Sequence, residues 1–382
     1  MTEAAVQAWL PTFDEPQARS SGICPAQWFP GAISRGIVSS ASGIDLESQI
    51  QPASIDLRLG PTAYCVPASF LPGRGTQVAD KLEWLATERV DLSQGAVLRR
   101  DRVYIVRLLE SLDLRKRLSG ITNPKSSTGR LDVFARVISD NCTEFDTIAE
   151  QYEGPLWVEI APRSFDVIVR EGSRLVQLRI KSGLPRPSEA QLRALHESVR
   201  IVGDEDEPDI TRRGVAITVD MVGDQVSRLI GYRAKRAEAA IDVDRINHYE
   251  PADYWDPVYR PPSGGIILQP DDFHILASKA TLTVPEDHAA DLIAYDTLVG
   301  EFRVHYAGFF DPGFGYAARG HKGAKAVLEV RSHEVPFMIE DGQTVGRLAF
   351  ERLTEKTAKP YGSGIGSSYQ YQGLVLSKQF RR

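Results

Sequence analysis

The sequence GAVLRRDRVYIV at residues 95–106 decides the fold, because a variant of it, GIILQPDDFHIL, returns 170 residues later at 265–276. Two further pairs of segments keep the same spacing, WVEI at 157–160 with VLEV at 327–330 and VIVREGSRLVQL at 167–178 with FMIEDGQTVGRL at 337–348. Glu159 is thereby aligned with Glu329. A gapless offset sustained over this distance predicts two tandem copies of one domain.

Each copy consists of short strand patterns. Apolar and polar residues alternate through Ile55, Leu57 and Leu59, which predicts a half-buried strand that ends at Gly60. Similar short alternations, separated by turn residues, follow at 97–98, 103–106, 157–160, 165–169 and 175–180. This arrangement predicts a mainly β fold of barrel or sandwich type with few short helices, rather than alternating βα units.

A capping box at Ser188-Glu189-Ala190-Gln191 predicts a helix that runs to Val199 and is followed by an acidic run. Both belong to a connecting segment between the two copies. The predicted parts are an N-terminal surface arm (1–35), a first β domain (36–180), a helical and acidic linker (181–213), a second β domain (214–359) and a polar C-terminal tail (360–382).

The composition narrows the function classes. A chain of 382 residues is long enough for two domains, and its net charge of −6 gives no electrostatic footprint for nucleic acid. No apolar run is long enough to span a membrane, and the acidic N-terminus is unlike a secretory signal. Three widely spaced cysteines predict neither a disulfide framework nor a zinc site, so we expect a cytoplasmic protein.

The stretch KSSTGRL at 125–131 predicts an anion site. Its hydroxyl groups and free backbone N–H groups can bind phosphate oxygens, which Lys125 and Arg130 neutralise. The alternative is an ordinary solvated turn that leads into a helix. It is not a P-loop, because the chain contains no GxxxxGK[ST] pattern. The second copy has DTLVG at the aligned positions 296–300 and lacks the stretch.

Two carboxylates are candidate proton-transfer groups. Glu159 and Glu329 each lie in the middle of an apolar strand segment, at equivalent positions of the repeat. Alternation alone allows each of them to face solvent. A carboxylate that instead faces a pocket among apolar neighbours has a raised pKa, which suits general acid/base chemistry near neutral pH.

Together these motifs resemble the dCTP deaminases of the trimeric dUTPase superfamily. The resemblance covers roughly residues 30–180 and 214–375. It is carried by QPASIDLRLG at 51–60, KSSTGRL at 125–131, DPGF at 311–314, AVLEV at 326–330, GRLAFE at 346–351 and the tail from PYG at 360–362 to YQYQG at 369–373. It implies two dUTPase-like distorted β-barrel (jelly-roll-like) domains and hydrolysis of dCTP to dUTP and ammonia.

The resemblance also implies roles for individual residues. Glu159 or Glu329 would activate the water that attacks C4, assisted by Ser126 and Arg130. The residues implied to bind the nucleotide are Lys125, Ser126, Ser127 and Arg130 at the triphosphate, Ala307, Asp311 and Gly313 at the sugar and base, and Tyr361, Tyr369 and Gln372 in a tail that closes over it. Lys125 stands where the family usually has arginine, and therefore loses bidentate phosphate geometry.

The cofactor that the resemblance implies is Mg²⁺, bound through the triphosphate and not by protein side chains. Zinc is not expected, because zinc-dependent base deaminases need a Cys-x-x-Cys pair that this sequence lacks. The expected partners are dCTP and dUTP, with dTTP as an inhibitor, and further copies of the chain in a dimer or trimer. Neither nucleic acid nor membrane is expected as a partner.

Each copy lacks motifs that the other has: the second lacks the KSSTGRL stretch, and the first lacks the Asp-Pro-Gly turn and the tail. Because these losses are complementary, they predict one composite site. The first copy would supply Ser126, Ser127 and Arg130, and the second would supply Glu329 and the tail. Glu159 is the open point, because a single composite site does not need it. Other functions stay open: a nucleotide-binding regulatory protein without catalysis, a bifunctional deaminase and dUTP diphosphatase, and, ranked lower, a pure dUTPase.

Overall fold

The computed structural model describes residues 21–203, 207–294, 302–304, 308–316, 323–332, 335–362 and 373–382. Within these residues the protein is mainly β with short helices. The helices are α1 (Trp28–Ser34), α2 (Leu46–Gln49), α3 (Val78–Leu85), α4 (Ser126–Gly129), α5 (Glu189–Val199) and α6 (Pro251–Tyr254).

The first half contains strands up to the helix α5. They are β1 (Gly22–Ile23), β2 (Val38–Ser40), β3 (Ile50–Gln51), β4 (Ser54–Leu57), β5 (Leu59–Val66), β6 (Glu88–Asp91), β7 (Ala96–Leu98), β8 (Val103–Asp113), β9 (Leu118–Pro124), β10 (Val133–Ser139), β11 (Thr147–Ile148), β12 (Glu153–Pro162), β13 (Val167–Val169) and β14 (Val176–Ser182). Twelve of them form two six-stranded sheets, one built along β11-β9-β14-β4-β3 and the other along β10-β12-β8-β5-β6, while β7 and β13 form a three-stranded sheet with β18 (Ile241–Asp242) of the second half.

The second half contains the remaining strands. They are β15 (Ile210–Thr211), β16 (Gly214–Thr218), β17 (Leu229–Ala234), β18 (Ile241–Asp242), β19 (Trp255–Tyr259), β20 (Gly265–Leu268), β21 (Phe273–Leu282), β22 (His288–Ala294), β23 (Phe302–Val304), β24 (Phe309–Phe310), β25 (Ala324–Ser332), β26 (Phe337–Glu340) and β27 (Thr344–Arg352). Two five-stranded sheets follow the orders β15-β16-β27-β22-β24 and β19-β17-β21-β25-β23.

The predicted repeat is present as structure. Strands β7, β8, β9, β12, β13 and β14 recur as β20, β21, β22, β25, β26 and β27, close to the 170-residue offset. The pairings recur as well, because β12 lies beside β8 and β25 lies beside β21, each antiparallel. The helix predicted after the capping box is also confirmed: Ser188 accepts a hydrogen bond from the backbone N–H of Gln191, and α5 ends at Val199.

Two details differ from the sequence predictions. Gly60 lies inside β5 and does not end a strand; a Cβ at this position would come within 2.6 Å of the Arg107 carbonyl oxygen, so the close approach of β8 requires glycine. Residues 21–35 pack into the core and do not form a surface arm. Trp28 and Phe29 of α1 are 3% and 0% exposed, because the apolar face of this helix is covered by the first-half sheets.

The two halves share one hydrophobic core. Phe165 of the first half packs edge-on against Tyr254 and Trp255 of the second, and Phe380 near the C-terminus joins the same aromatic cluster. A second core lies within the second half, where Leu192 of α5 is buried. The described residues contain no helix that is long and apolar enough to cross a membrane. This shared core fixes the two halves against each other and so positions the surfaces between them.

Candidate active site

A cavity of about 850 Å³ lies between the two halves of the chain. Both copies of the repeat line it. The first half contributes Gln51, Asp56, Lys125, Ser126, Ser127 and Arg130, and the second contributes Phe309, Asp311, Lys325, Glu329, Lys359 and Tyr361. The structure therefore brings together most of the predicted site residues that it describes, and it leaves Glu159 outside the cavity.

The KSSTGRL stretch forms one wall. Strand β9 ends at Pro124, and the Leu175 carbonyl then accepts hydrogen bonds from the Lys125 backbone N–H (2.9 Å) and from Thr128 Oγ1 (2.8 Å). These bonds fix the short helix α4 against β14. Ser127 and Arg130 are only 7% and 4% exposed, so the stretch is a buried wall and not a solvated turn.

Several cationic side chains line this cavity, among them Lys125, Arg174, Lys359 and Lys378. Lys125 forms an ion pair with Asp56, and Arg174 donates to the Ser48 carbonyl at 2.8 Å. Burial is the main cause that lowers the pKa of Lys359 and that of Lys378, and the nearby Lys125 lowers the latter further. Partly desolvated ammonium groups crowded in this way favour an incoming polyanion, since its charge relieves their repulsion.

Glu329 lines the same cavity from β25, beside Ile275 of β21. It is 5% exposed, and burial raises the pKa of its carboxyl to about 8, against the opposing effect of Arg130. Arg130 Nε lies 4.0 Å from Glu329 Oε1. The first copy thus supplies the cation and the second copy the carboxylate. A carboxyl group with this pKa can accept and return a proton near neutral pH.

Glu159, the equivalent carboxylate of the first copy, is in a different environment. It is buried on β12 and accepts hydrogen bonds from Arg136 Nη2 at 2.6 Å and Nε at 3.2 Å. The Arg136 guanidinium also stacks over the Phe145 ring, 3.8 Å from its centroid, and donates to Ser69. A carboxylate bound in this way within its own half has the contacts of a structural ion pair.

The DPGF turn forms a wall opposite α4. Burial raises the pKa of Asp311, with Arg179 opposing. Gly313 has φ +94°, and a Cβ there would come within 2.9 Å of the Tyr361 backbone nitrogen, so both conformation and space require glycine. The Tyr361 N–H in turn donates to the Pro312 carbonyl at 2.8 Å. Asp311 and Tyr361 therefore lie side by side at the cavity.

Three predicted binding residues, Ala307, Tyr369 and Gln372, lie outside the residues that the structure describes. The segment that resumes at 373 returns to the first-half wall. Arg130 Nη1 donates to the Val375 carbonyl at 3.0 Å, and Ser377 Oγ donates to the Ser127 carbonyl at 2.8 Å. The chain on either side of residues 363–372 is thus anchored at the cavity.

Sequence reasoning missed Arg179, which is fully buried on β14 and crosses into the second half. Its guanidinium binds Asp291 and Asp311, donates to the Phe310 carbonyl at 3.0 Å, and stacks over the Phe309 ring at 3.9 Å. The available signal was the repeat itself, which aligns Arg179 with Ala349. A buried arginine present in one copy only marks a contact that the other copy does not make.

No group of three or more His, Cys, Asp or Glu side chains within the described ranges is placed to hold a metal ion. Asp56 and Asp244 do line the cavity beside the cationic side chains. This mixture of charges fits a metal ion that arrives with a polyphosphate and is held mainly by phosphate oxygens.

Comparisons with known proteins identify the family. Residues 20–184 match the sequence profile of the 2'-deoxycytidine 5'-triphosphate deaminase (DCD) N-terminal domain, and residues 188–380 match that of the C-terminal domain. A crystal structure of 2'-deoxycytidine 5'-triphosphate deaminase from Agrobacterium tumefaciens is 49% identical. It superposes with a TM-score of 0.84 over 88% of this chain and 100% of that one.

Two curated relatives are named "dCTP deaminase, dUMP-forming". The protein from Beutenbergia cavernae is 36% identical over 115 residues, which is 29% of this chain and 56% of the relative's length. The protein from Pseudarthrobacter chlorophenolicus is 30% identical over 193 residues, 48% of this chain and 90% of its own. With both domain profiles and a full-length structural match, the chain belongs to the 2'-deoxycytidine 5'-triphosphate deaminase family.

Proposed function

We propose that the protein hydrolyses dCTP to dUTP and ammonia at one composite site per chain, with Glu329 as general acid and base. The observation that carries the proposal is the pairing of Arg130 from the first copy with Glu329 from the second, 4.0 Å apart in the shared cavity. The family membership supplies the substrate class, and the burial of Glu329 supplies the chemistry.

In the proposed reaction the ionised Glu329 takes a proton from water as the water oxygen bonds to C4 of cytosine. The same carboxyl then gives that proton to the exocyclic nitrogen, the C4–N bond breaks, and ammonia leaves. The remaining water proton moves from the C4 hydroxyl to N3, which gives the C4=O and N3–H of uracil. Glu329 is returned to its starting state. Because proton transfer is most efficient when the pKa of the group lies near the working pH, the pKa of about 8 suits both steps.

The same cavity accounts for a triphosphate. It is lined by the cations Lys125, Arg174, Lys359 and Lys378 and by the hydroxyl groups of Ser126 and Ser127. Phosphate oxygens accept charge-assisted hydrogen bonds from such groups. The Asp311 wall and Tyr361 would then face the sugar and base. Closure by Tyr369 and Gln372 stays a prediction, as does a contact from Ala307.

We expect the purified protein to release ammonia from dCTP with Mg²⁺ present and without zinc. The motivation is the cavity chemistry together with the missing Cys-x-x-Cys pair. Ammonia is measured with a coupled assay, before and after a zinc-selective chelator in excess Mg²⁺. Loss of activity on chelation would contradict the metal assignment. Nucleotide binding without any ammonia release would instead favour the regulatory function.

A bifunctional enzyme is the second candidate, because the relatives are named as dUMP-forming. Such an enzyme would also hydrolyse the nucleotide between its α- and β-phosphates. The same reaction mixture distinguishes the two functions by phosphorus NMR. Pyrophosphate and dUMP appearing in step with ammonia indicate the bifunctional enzyme, whereas accumulating dUTP indicates deamination alone.

Replacing Arg130 with alanine should weaken both binding and catalysis. A charge-assisted hydrogen bond is worth roughly 1.5–3 kcal/mol, which corresponds to about 10- to 150-fold in kcat/KM. Loss of this cation also raises the pKa of Glu329 further, so the acidic limb of the kcat/KM profile against pH should move to higher pH. Steady-state kinetics against pH measures both effects. Arg163→Ala, which changes a half-exposed arginine outside the cavity, is the control. Unchanged kinetic constants in Arg130→Ala would refute the assignment.

Two structural expectations accompany the function. We infer that each copy is a dUTPase-like distorted barrel, supported by antiparallel sheets that recur with the repeat. A cytoplasmic homo-oligomer of two or three chains also stays a prediction, and light scattering of the purified protein measures its size.

A further inference from the structure

A buried ion pair lies directly beside the proposed reaction centre and also joins the two copies. Asp132 follows Arg130 by two residues, and Arg331 follows Glu329 by two residues. Asp132 and Arg331 are 0% and 4% exposed and form a salt bridge. The first half thus carries a cation (Arg130) followed by an anion (Asp132), and β25 carries the reverse order, Glu329 followed by Arg331.

Asp132 is held firmly in place. Its backbone has φ +56°, its N–H donates to the Gly129 carbonyl at 2.8 Å, and its Oδ2 accepts from Ser164 Oγ at 2.6 Å. Arg331 also donates to the Asp271 carbonyl, and its guanidinium lies over the Phe273 ring. The carboxylate therefore fixes the arginine from a rigid position.

The repeat shows that this pair is specific to one interface. The 170-residue offset aligns Asp132 with Phe302 and Arg331 with Ala161, so the reciprocal combination of copies has neither charge. The pair therefore accompanies the Arg130–Glu329 contact and has no counterpart beside Glu159.

Arg331 is also close enough to matter electrostatically. Residues two apart on a strand lie on the same face, roughly 7 Å from each other. A guanidinium released from Asp132 can therefore turn toward Glu329. An opposite charge within about 4–6 Å lowers the pKa of a carboxyl group by roughly 1–3 units. It would therefore cancel much of the rise in the pKa of Glu329 that burial causes.

We propose that Asp132 is a positioning residue that holds the Arg331 guanidinium away from Glu329, so that the reacting carboxylate faces Arg130 alone. The inference rests on the proposed function, since it assigns Glu329 as the reacting group. Arg331 also faces a second carboxylate, because Asp271 Oδ1 lies 3.7 Å from Arg331 Nη1 and pairs with Arg163 as well. Further charged or titratable groups lie on the neighbouring elements. Strand β25 carries Lys325, β21 carries His274, and Asp311 lies across the cavity. Burial lowers the pKa of His274 to about 4, so it is neutral at working pH.

The test compares Asp132→Asn with the double variant Asp132→Asn/Arg331→Met. In Asp132→Asn the freed guanidinium should lower the acidic limb of the kcat/KM profile by about one pH unit, and kcat should fall about tenfold because a less basic carboxylate is a weaker base. Removing the guanidinium as well should return the limb to within a few tenths of a unit of the wild type. If the pair is merely structural, breaking it should reduce stability and leave the acidic limb at the wild-type pH.

Two further variants keep the test decisive if Asp132→Asn does not fold. Ser164→Ala removes one hydrogen bond from Asp132 and should move the limb in the same direction by a smaller amount. Glu110→Gln breaks the buried pair with Arg58, outside the cavity, and should leave the limb unchanged. An unmoved limb in folded Asp132→Asn or in Ser164→Ala, or a double variant still shifted like Asp132→Asn, would overturn the inference.

A readout that does not need activity separates this inference from the proposed function. Carbon-13 NMR follows the titration of the Glu329 carboxyl, identified as the signal that Glu329→Gln removes. If the wild type releases no ammonia, the proposed function fails, but a lower titration midpoint in Asp132→Asn still supports the positioning role. An unchanged midpoint refutes the positioning role whatever the activity.

Discussion

Glu329→Gln is expected to reduce ammonia release from dCTP by a factor of about 10²–10⁴, the usual contribution of a general acid and base. The amide keeps the shape of the side chain but can neither accept the water proton nor return it. Nucleotide binding should change little, because the cations expected to bind the phosphates, Lys125, Arg174, Lys359 and Lys378, remain in place. The measurements are kcat from ammonia release and Kd from calorimetry with dCTP.

Glu159→Gln is the matched variant, since it makes the same change at the equivalent position of the first copy. We expect its kcat to stay within a few-fold of the wild type, because Glu159 binds Arg136 and does not line the cavity. Its stability should fall, since Arg136 loses its carboxylate. If Glu159→Gln abolishes deamination while Glu329→Gln remains active, with both proteins folded, the composite site is wrong.

Arg179→Met is expected to destabilise the protein by roughly 3–5 kcal/mol, the cost of leaving buried charges without their partner. Arg179 is fully buried, and its loss leaves Asp291 and Asp311 on the second half without the guanidinium that forms their ion pairs. The Phe310 carbonyl also loses a donor. The wall of the cavity that contains Asp311 should loosen, so KM for dCTP should rise as well.

The loss of stability in Arg179→Met should depend on pH in a defined direction. Burial already raises the pKa of Asp291 to about 6, and Arg179 opposes that rise. Without the arginine the folded-state pKa moves further above the ordinary value, and the folded protein then binds protons more tightly than the unfolded chain. The destabilisation should therefore be small near pH 5 and grow as the pH rises through 6 to 8.

Urea unfolding followed by tryptophan fluorescence at pH 5 and pH 8 tests this expectation. Arg102→Met is the control, because Arg102 is half-exposed and pairs at 3.1 Å with Glu88, which is also half-exposed. The control should shift the midpoint little at either pH. A loss below about 1 kcal/mol at both pH values in Arg179→Met would show that the buried contacts do not hold the halves together.

The strand pattern and the repeat could be predicted from the sequence because both are local. Alternation placed β12, β13 and β14, and the constant offset placed their counterparts without any knowledge of packing. Gly60 shows the limit of this reasoning. In the sequence, this glycine suggests a turn. In the structure, glycine is required because the Arg107 carbonyl oxygen of a neighbouring strand approaches too closely for a Cβ.

The site could be predicted only as a set of residue types. Glu159 and Glu329 have similar apolar neighbours in sequence, and only tertiary contacts distinguish them. Glu159 pairs with Arg136 of its own half, whereas Glu329 lies near Arg130 of the opposite half. Arg179 has the same difficulty, because its carboxylate partners are 112 and 132 residues away in the chain. No local pattern encodes such distances; only the difference between the two copies hints at them.

The cavity walls belong to one polypeptide, and this sets how the site depends on concentration. Two walls on separate chains meet by mass action, so their complex is lost as the protein is diluted. Walls joined by a connecting segment meet at an effective concentration, which is on the order of millimolar for short flexible connections. Because Phe165, Tyr254 and Phe380 also pack the two halves into a single core, Arg130 and Glu329 stay together at dilutions at which a site shared between subunits would dissociate.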